Sequence, residues 1–503
     1  MKETAMEKIE ILKNIKFGER IAEDEIENLA KYFVTTEDWR RLFENEIDVI
    51  YGTKGAGKSA LYAILDSKRD ELFDRNILLT TAENPRGTTV FEGLTSNPPT
   101  TEVEFVRLWK LYLLIITVSE FDEWGLSNKK FTEIKNLLQE SNLIPYQKGL
   151  KLILKVCRDY IKQFINIESI QPGVDLNEAT GLPSNVNLKV SFREPSIGEQ
   201  KSGIRSIEYL FDLLEKALKE ENFSLWIAID RLDVAFSENI ELETNALRAL
   251  FKVYRDLAPY SQIKIKIFLR DDIWRRITEE GFREASHITK DLTITWNKET
   301  LVNLIIRRIL SNEIIVKEYE ININKVFNDY PTQESLFYRF FPEKIDVGDK
   351  KPKTIEWILS RVRDGKGIIA PREVIHLLNE SKQEQIRRME IGQNDLENEW
   401  LIGRTAFKGA LDKVSKVRLE QTIYAEYPTL KGYIQKLEGE KTEQNLETLS
   451  KIWNVKNEEA KKITKRLVDI GIFEEKGDNK NLSYWVPFLY RNELKMIQGS
   501  ADI

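Results

Sequence analysis

One cysteine and two histidines are all that 503 residues supply of the side chains that most often build covalent staples and transition-metal sites. Cys157 stands alone, so no intramolecular disulfide can form, and a reducing cytoplasm is the natural setting. His287 and His376 are far apart in the chain, which excludes a Cys/His zinc site. Long apolar runs are missing too. Residues 111–118 (LYLLIITV) form the most apolar stretch. That is far short of the roughly 20 residues a membrane-spanning helix needs. The opening MKETAMEKIEILKNIK has no apolar segment of signal-peptide length, so a cytosolic chain without membrane contact is expected. Nor is there a surplus of one charge: at a net −6 the whole surface is not a nucleic-acid footprint, and any such binding must come from a local patch. A hydrophobic content of 41% beside 31% charged residues also excludes a disordered chain. The length predicts roughly two to four domains.

What is present is concentrated first in residues 46–65, EIDVIYGTKGAGKSALYAIL. Ile47, Val49 and Ile50 predict a buried strand, and the residues from Ala60 to Leu65 a helix. Between them, Gly52-Thr53-Lys54-Gly55-Ala56-Gly57-Lys58-Ser59 fits G-x-x-x-x-G-K-[ST] without a mismatch. Glycines let successive backbone N–H groups converge on phosphate oxygens, and the helix beginning at the loop adds its positive dipole end. The motif assigns Lys58 to the β- and γ-phosphates and the Ser59 hydroxyl to Mg²⁺, with Ala60 closing the cradle.

The second constellation is FSLWIAIDRLD, residues 223–233. Its apolar run reads as a central parallel strand, and it ends in Asp230 at the carboxyl edge, where open α/β sheets bind ligands. Downstream of a phosphate loop, such an Asp is the expected second Mg²⁺-organising group. Further strands are predicted over residues 76–80 (NILLT), 262–269 (QIKIKIFL) and 291–296 (DLTITW). The second of these ends in Arg270, which either contacts a γ-phosphate or attacking water, or pairs with Asp271 or Asp272. Residues 102–165 are helical in pattern and expected to cover the sheet, and 171–196 read as an inserted loop with a short hairpin.

Four parts are expected: an N-terminal helical segment (1–45), an α/β phosphate-loop core with a parallel sheet flanked by helices (46–297), a helical lid (298–400) and a winged-helix-like domain (401–503). Asn297 is predicted to cap the helix KETLVNLIIRRIL. Pro371 is placed as a first helical residue, so Arg372 sits at the dipole's positive end. A cation there is disfavoured by roughly 0.3–1 kcal/mol unless an anion offsets it, either a γ-phosphate or a neighbouring acid such as Glu373. In the last part, helices are predicted over 429–437, 443–453 and 458–470, followed by a hairpin around Lys476-Gly477-Asp478-Asn479-Lys480. Ile463, Leu467 and Ile470 would face the core of that winged-helix outline. Lys461, Lys462, Lys465 and Arg466 would then face outward, toward DNA or a protein partner.

With IYGTKGAGKSAL, LWIAIDRLD, IFLRDDIW, ITWNKETL and APREVIHLLN in this order, the chain resembles AAA+-like and STAND-like P-loop ATPases of the additional-strand division. Within that division it looks most like bacterial ATPases with a C-terminal winged helix, some encoded in phage-defence loci. The resemblance runs over about residues 20–490, with IAEDEIENLAKYFVTTEDW and PFLYRNEL as flanking pieces. It implies ATP and Mg²⁺ as cofactors, a strand between the phosphate-loop strand and the Asp230 strand, nucleotide-gated switching, and a homo-oligomer formed on ATP binding. Arg275, Arg276 and Arg283 lie where oligomeric relatives keep an arginine finger; the alternative is a solvated basic face. Hydrolytic members place a Glu directly after the Mg²⁺ Asp, but here Arg231 follows and the nearest acid is Asp233. Asp233 either takes the water-positioning role or caps the next helix. The resemblance thus leaves two readings, a slow or partner-stimulated ATPase switch and a DNA- or protein-binding adaptor with structural nucleotide. A GTPase is disfavoured: the DRLD end lacks the D-x-x-G switch, and Asn297-Lys298-Glu299-Thr300 lacks the Asp that reads guanine.

Overall fold

The protein's structure, a computed structural model, describes residues 2–19, 25–82, 102–141, 143–144, 156–157, 160, 165–167, 190–192, 206–230, 240–279, 281–393, 395–397, 399–478 and 482–501. Their strands are β1 (Val49–Gly52), β2 (Ile77–Thr81), β3 (Ile165–Ile167), β4 (Val190–Phe192), β5 (Ser224–Ile229), β6 (Ile263–Arg270), β7 (Asp291–Thr293), β8 (Lys441–Gln444), β9 (Glu474–Lys476), β10 (Ser483–Trp485) and β11 (Ile497–Ser500). The chain divides into two compact units, one of Glu37–Thr53 and Lys58–Ile294, the other of Met1–Thr36, Lys54–Gly57 and Thr295–Ile503.

The first unit is built on a parallel sheet of order β2-β5-β6-β1-β7. Both faces of β1 and β5 are buried, which is why these strands read as unbroken apolar runs rather than alternating ones. Helices Glu102–Glu123, Lys129–Glu140, Ile207–Glu221 and Ile240–Leu257 supply the cover, with Phe105, Leu108, Phe211, Leu214 and Leu250 joining Val49, Leu78 and Ile227 in one core. This parallel sheet flanked by helices, with the phosphate-loop motif leaving β1, is the P-loop NTPase fold. β6 lies between β1 and β5, as the additional-strand arrangement requires.

Two local expectations differ from what is found. β3 pairs antiparallel with β4, so Ile165, the last residue of the expected helical pattern, begins a strand instead. Within β6, Lys266 is buried at 0% exposure although IKIKIFL alternates like a half-solvated strand. Its ammonium donates to Asn45 Oδ1 (2.6 Å), the Ile47 carbonyl (2.6 Å) and Asp48 Oδ1 (2.8 Å), and lies over the Trp226 ring. Burial pushes its pKa down to about 8, against the attraction of Asp48. The folded value thus lies below the unfolded one, and between them the unfolded chain holds a proton that the folded chain has released. Raising the pH from 8 to 10.5 should therefore stabilise the fold, by up to about 3 kcal/mol at 1.36 kcal/mol per pKa unit. Urea unfolding across this range, compared with an Asp48→Asn/Lys266→Met double variant, checks it; a rise of equal size in both would refute the assignment.

The second unit is mainly helical. Helices Lys298–Leu310, Tyr330–Phe340, Thr354–Val362, Pro371–Glu390 and Arg404–Arg418 pack around Leu301, Phe337, Trp357, Leu377 and Phe407. The expected caps are formed: Asn297 closes a capping box with Thr300, and Pro371 occupies the first turn of its helix. Residues 37–45 belong to the first unit, whereas Leu12, Ile15, Phe17 and Val34 join this core. A buried Glu25–Arg308 pair, 2.8 Å apart, anchors them, and the Tyr32 hydroxyl donates to Glu25 Oε2 at 2.7 Å.

The last part of this unit carries a second sheet of order β11-β8-β10-β9. Helices Leu446–Trp453 and Asn457–Asp469 stand between β8 and β9. Residues 443–444, expected to open a helix, are instead in β8, because Asn445 forms a capping box with Thr448 and starts the helix only after it. β11 had no counterpart in the expected elements.

Candidate nucleotide site

β1 ends at Gly52 and helix Lys58–Asp66 begins six residues on, so the motif is the whole connection between them. Gly55 (φ +82°) and Gly57 (φ +104°) are in the left-handed region, where a side chain is strained. These are the two glycines the loop needs for its shape. Lys58 Nζ donates to the carbonyls of Gly52 (2.7 Å) and Thr53 (2.9 Å), which keeps its charge over the loop. Lys58, Ser59 and Ala60 form the first turn of the helix, whose N–H groups have no partner within the helix.

Strand register brings the other sheet residues to the same edge. Val49 pairs with Ile267 and Ile267 with Ile229, while Gly52 pairs with Arg270. Asp230, one residue past β5, and Arg270, the last residue of β6, therefore leave the sheet at the carboxyl edge from which the loop starts. Asp230 is only 4% exposed. Arg270 forks onto Asp272, Nε to Oδ1 at 3.0 Å and Nη2 to Oδ2 at 2.7 Å, the ion pair weighed as an alternative for it. Burial raises the Asp272 carboxyl, and the Arg270 fork outweighs it, holding it below the usual carboxylate range. Arg276 pairs with the buried Glu243, and Arg275 reaches Asp271 at 3.4 Å. Arg283 opens a short 3₁₀ turn, Arg283–His287. Arg231 and Asp233 lie outside the described residues, as does most of the 171–196 segment.

The tip of the loop, Lys54–Gly57, clusters with the helical unit. A Cβ placed on Gly55 would come within 2.9 Å of Arg372 Cβ and 3.4 Å of its Cδ and Nε, so the Arg372 stem lies directly against the loop. Trp296 Nε1 donates to the Ala56 carbonyl at 2.8 Å, and Lys54 Nζ is paired with the Glu426 carboxylate. Sequence reasoning placed Arg372 near an anion but did not identify Trp296 or Glu426. Trp296 had only its place, directly before the Asn297 cap, to single it out; Glu426 had no local signal at all.

Arg372 stands beside a buried charge pair. Glu373, in the first turn of the same helix, accepts from Arg418 Nη1 at 3.0 Å. The Arg418 guanidinium also faces Tyr490 and Asp364. Burial raises the Asp364 carboxyl above its usual range against the backbone N–H groups of Ile368 and Lys366, which it accepts. The turn that Asp364 opens is seated on backbone: Gly365 N–H donates to the Gly471 carbonyl at 2.7 Å. A Cβ on Gly365 would lie 2.3 Å from the Phe473 carbonyl oxygen. On helix Asn457–Asp469, Ala460, Ile463, Thr464 and Leu467 are buried, whereas Lys461, Lys462, Lys465 and Arg466 are exposed, Arg466 reaching Thr429 Oγ1 at 3.1 Å.

No family model matches the chain. The putative transposon gamma-delta 80.3 kDa protein of Escherichia coli (strain K12) is 23% identical over 433 residues, covering 84% of this chain and 53% of that protein. The chain thus spans about half the length of the curated relative it matches. Among solved structures, the Walker-type ATPase paby2304 of Pyrococcus abyssi aligns at 12% identity and a TM-score of 0.39 over 92% of this chain and 96% of its own. The Aeropyrum pernix ORC2 protein, in ADPNP-ADP complexes, gives 12% and 0.37 over 94% and 93%. The Aeropyrum pernix ORC1 protein in complex with DNA gives 12% and 0.34 over 89% and 86%. At such scores these likenesses carry no functional argument, and the fold assignment stands on the sheet and the loop. No described helix is long and apolar enough to cross a membrane.

Proposed function

We propose that the chain binds ATP with Mg²⁺ at residues 52–60 and is a nucleotide-gated switch with slow or partner-stimulated hydrolysis. The observation that carries this reading is the loop itself, two left-handed glycines between β1 and a helix N-terminus, with Asp230 and Arg270 leaving the same sheet edge. Backbone N–H groups of residues 53–60 would cradle the phosphates, and Lys58 would neutralise them. The donor set suits a hard cation, since the Ser59 hydroxyl and the buried Asp230 carboxylate both present oxygen. Such an ion would offset charge on the phosphate oxygens. Arg270 and Arg372 are proposed phosphate contacts, and Asp233 a water-positioning acid. One of Arg275, Arg276 and Arg283 is a proposed trans finger in an ATP-dependent homo-oligomer. Phage defence, or another DNA-linked process, is the setting that the resemblance implies.

Lys58→Ala is expected to weaken binding of a fluorescent ATP analogue at least about tenfold, because a desolvated charge–phosphate contact is lost. Equal affinity in wild type and variant would overturn the assignment.

The C-terminal helices and hairpin support a winged-helix reading, and the exposed face of Lys461, Lys462, Lys465 and Arg466 favours DNA over protein as its partner. Fluorescence anisotropy with duplex DNA should show a Lys461→Glu/Lys465→Glu variant losing affinity and having a shallower salt dependence. A variant that binds as wild type does would return the face to protein contact and the chain to the adaptor reading.

A further inference from the structure

Lys54 occupies a variable position of the loop motif, and neither the motif nor the fold requires anything to hold it. Here it is held. Its ammonium is paired with Glu426, with side-chain exposures of 33% and 19%, while the neighbouring Ala56 carbonyl is bonded by Trp296 and Gly55 is covered by the Arg372 stem. Glu426 ends the short helix Tyr424–Glu426, which follows a π-helical turn, Leu419–Ile423, at the end of helix Arg404–Arg418. A π turn adds one residue to the helix and rotates everything after it by about 100°, and such insertions are frequent at functional sites.

We propose that Glu426 is a positioning residue for the phosphate loop, one that lowers its affinity for polyphosphate. The proposal rests on the nucleotide reading above. Two physical effects make the pair consequential. The carboxylate neutralises the Lys54 ammonium, and it adds a negative charge close to where a polyanion would be cradled. Both disfavour an incoming triphosphate, and the pair is exposed enough that a polyanion can compete with it for Lys54. The same pair, with the Trp296 bond, restrains the loop backbone whether or not anything is bound. Entry of a nucleotide would then release the Tyr424–Glu426 segment, so that occupancy of the loop is felt on the same helix path that carries Arg418.

The test compares wild type, Glu426→Gln, Lys54→Ala, the Lys54→Ala/Glu426→Gln double variant and Lys58→Ala in the full chain. Binding of Mg²⁺·ATP should tighten about three- to tenfold in Glu426→Gln at low salt, and the gain should shrink at high salt, as expected for a partly screened charge. In the Lys54→Ala background the same substitution should change affinity less than twofold. Without any nucleotide, hydrogen exchange at the amides of residues 54–57 should quicken in Glu426→Gln. An unchanged or weaker affinity in Glu426→Gln, or unchanged exchange at the loop tip, overturns the role of Glu426. Loss of all binding in wild type, or equal binding in wild type and Lys58→Ala, instead overturns the nucleotide reading.

Discussion

Asp230→Asn is expected to leave the chain folded and to lower Mg²⁺-dependent ATP turnover by about 10²–10³-fold. Asn keeps the size of the side chain at a position that is 4% exposed, so the end of β5 should pack as before. What is removed is the negative charge proposed to hold a divalent cation beside the phosphates. Metal-based charge stabilisation is worth several kcal/mol, and each 1.36 kcal/mol is tenfold in rate, which sets the expected range. Turnover measured against Mg²⁺ concentration separates the two ways in which the charge can act. A variant whose rate recovers at high Mg²⁺ has lost affinity for the ion, whereas a rate that stays low has lost its placement. Turnover equal to wild type at all Mg²⁺ concentrations would remove Asp230 from the site. The adaptor reading makes a contrasting statement, that wild type itself shows no sustained turnover.

Arg418→Met should cost about 3–5 kcal/mol of stability, the penalty for leaving one partner of a buried pair behind. Glu373 is 4% exposed and Arg418 11%, so the stranded carboxylate has little access to water. Asp364, already raised by burial, and Tyr490 face the same guanidinium and lose it too. Urea unfolding of the full chain measures the loss, and a Glu373→Gln/Arg418→Met double variant should recover much of it, because a neutral pair replaces an isolated charge. A single variant within about 0.5 kcal/mol of wild type would mean the pair is solvated after all. The pair also bears on the site. Glu373 adjoins Arg372 in one helical turn, so the double variant, which should fold, tests through ATP affinity whether Arg372 is positioned by this pair.

β1 and β5 were legible because burial on both faces leaves an unbroken apolar run, and β6 because its residues alternate with period two. The phosphate loop was legible because its glycines are needed for backbone geometry, a requirement local to eight residues. Legibility failed where a residue's environment is supplied from far away in the chain. Lys266 alternates with apolar neighbours as a solvent-facing lysine would, yet it is buried because Asp48, Asn45 and Trp226 come to meet it. Residues 443–444 carry helix-compatible side chains, and pairing with β10 made them a strand. β3 was hidden for the same reason, since its partner β4 lies in a separate run.

The amino-acid sequence by itself determined the sheet's strands, the loop that leaves β1, the acid at the end of β5 and the basic face of the Asn457–Asp469 helix. Each of these depends on local periodicity or backbone chemistry. Only the tertiary structure decided that Lys266 is buried against Asp48 and that Glu373 is neutralised by Arg418. It alone decided, too, that the loop tip is held by Trp296, Arg372 and Glu426. The physical reason is that a charge or a donor has no preferred partner within its own stretch of chain; the partner is whichever group the packed core places within about 3 Å of it.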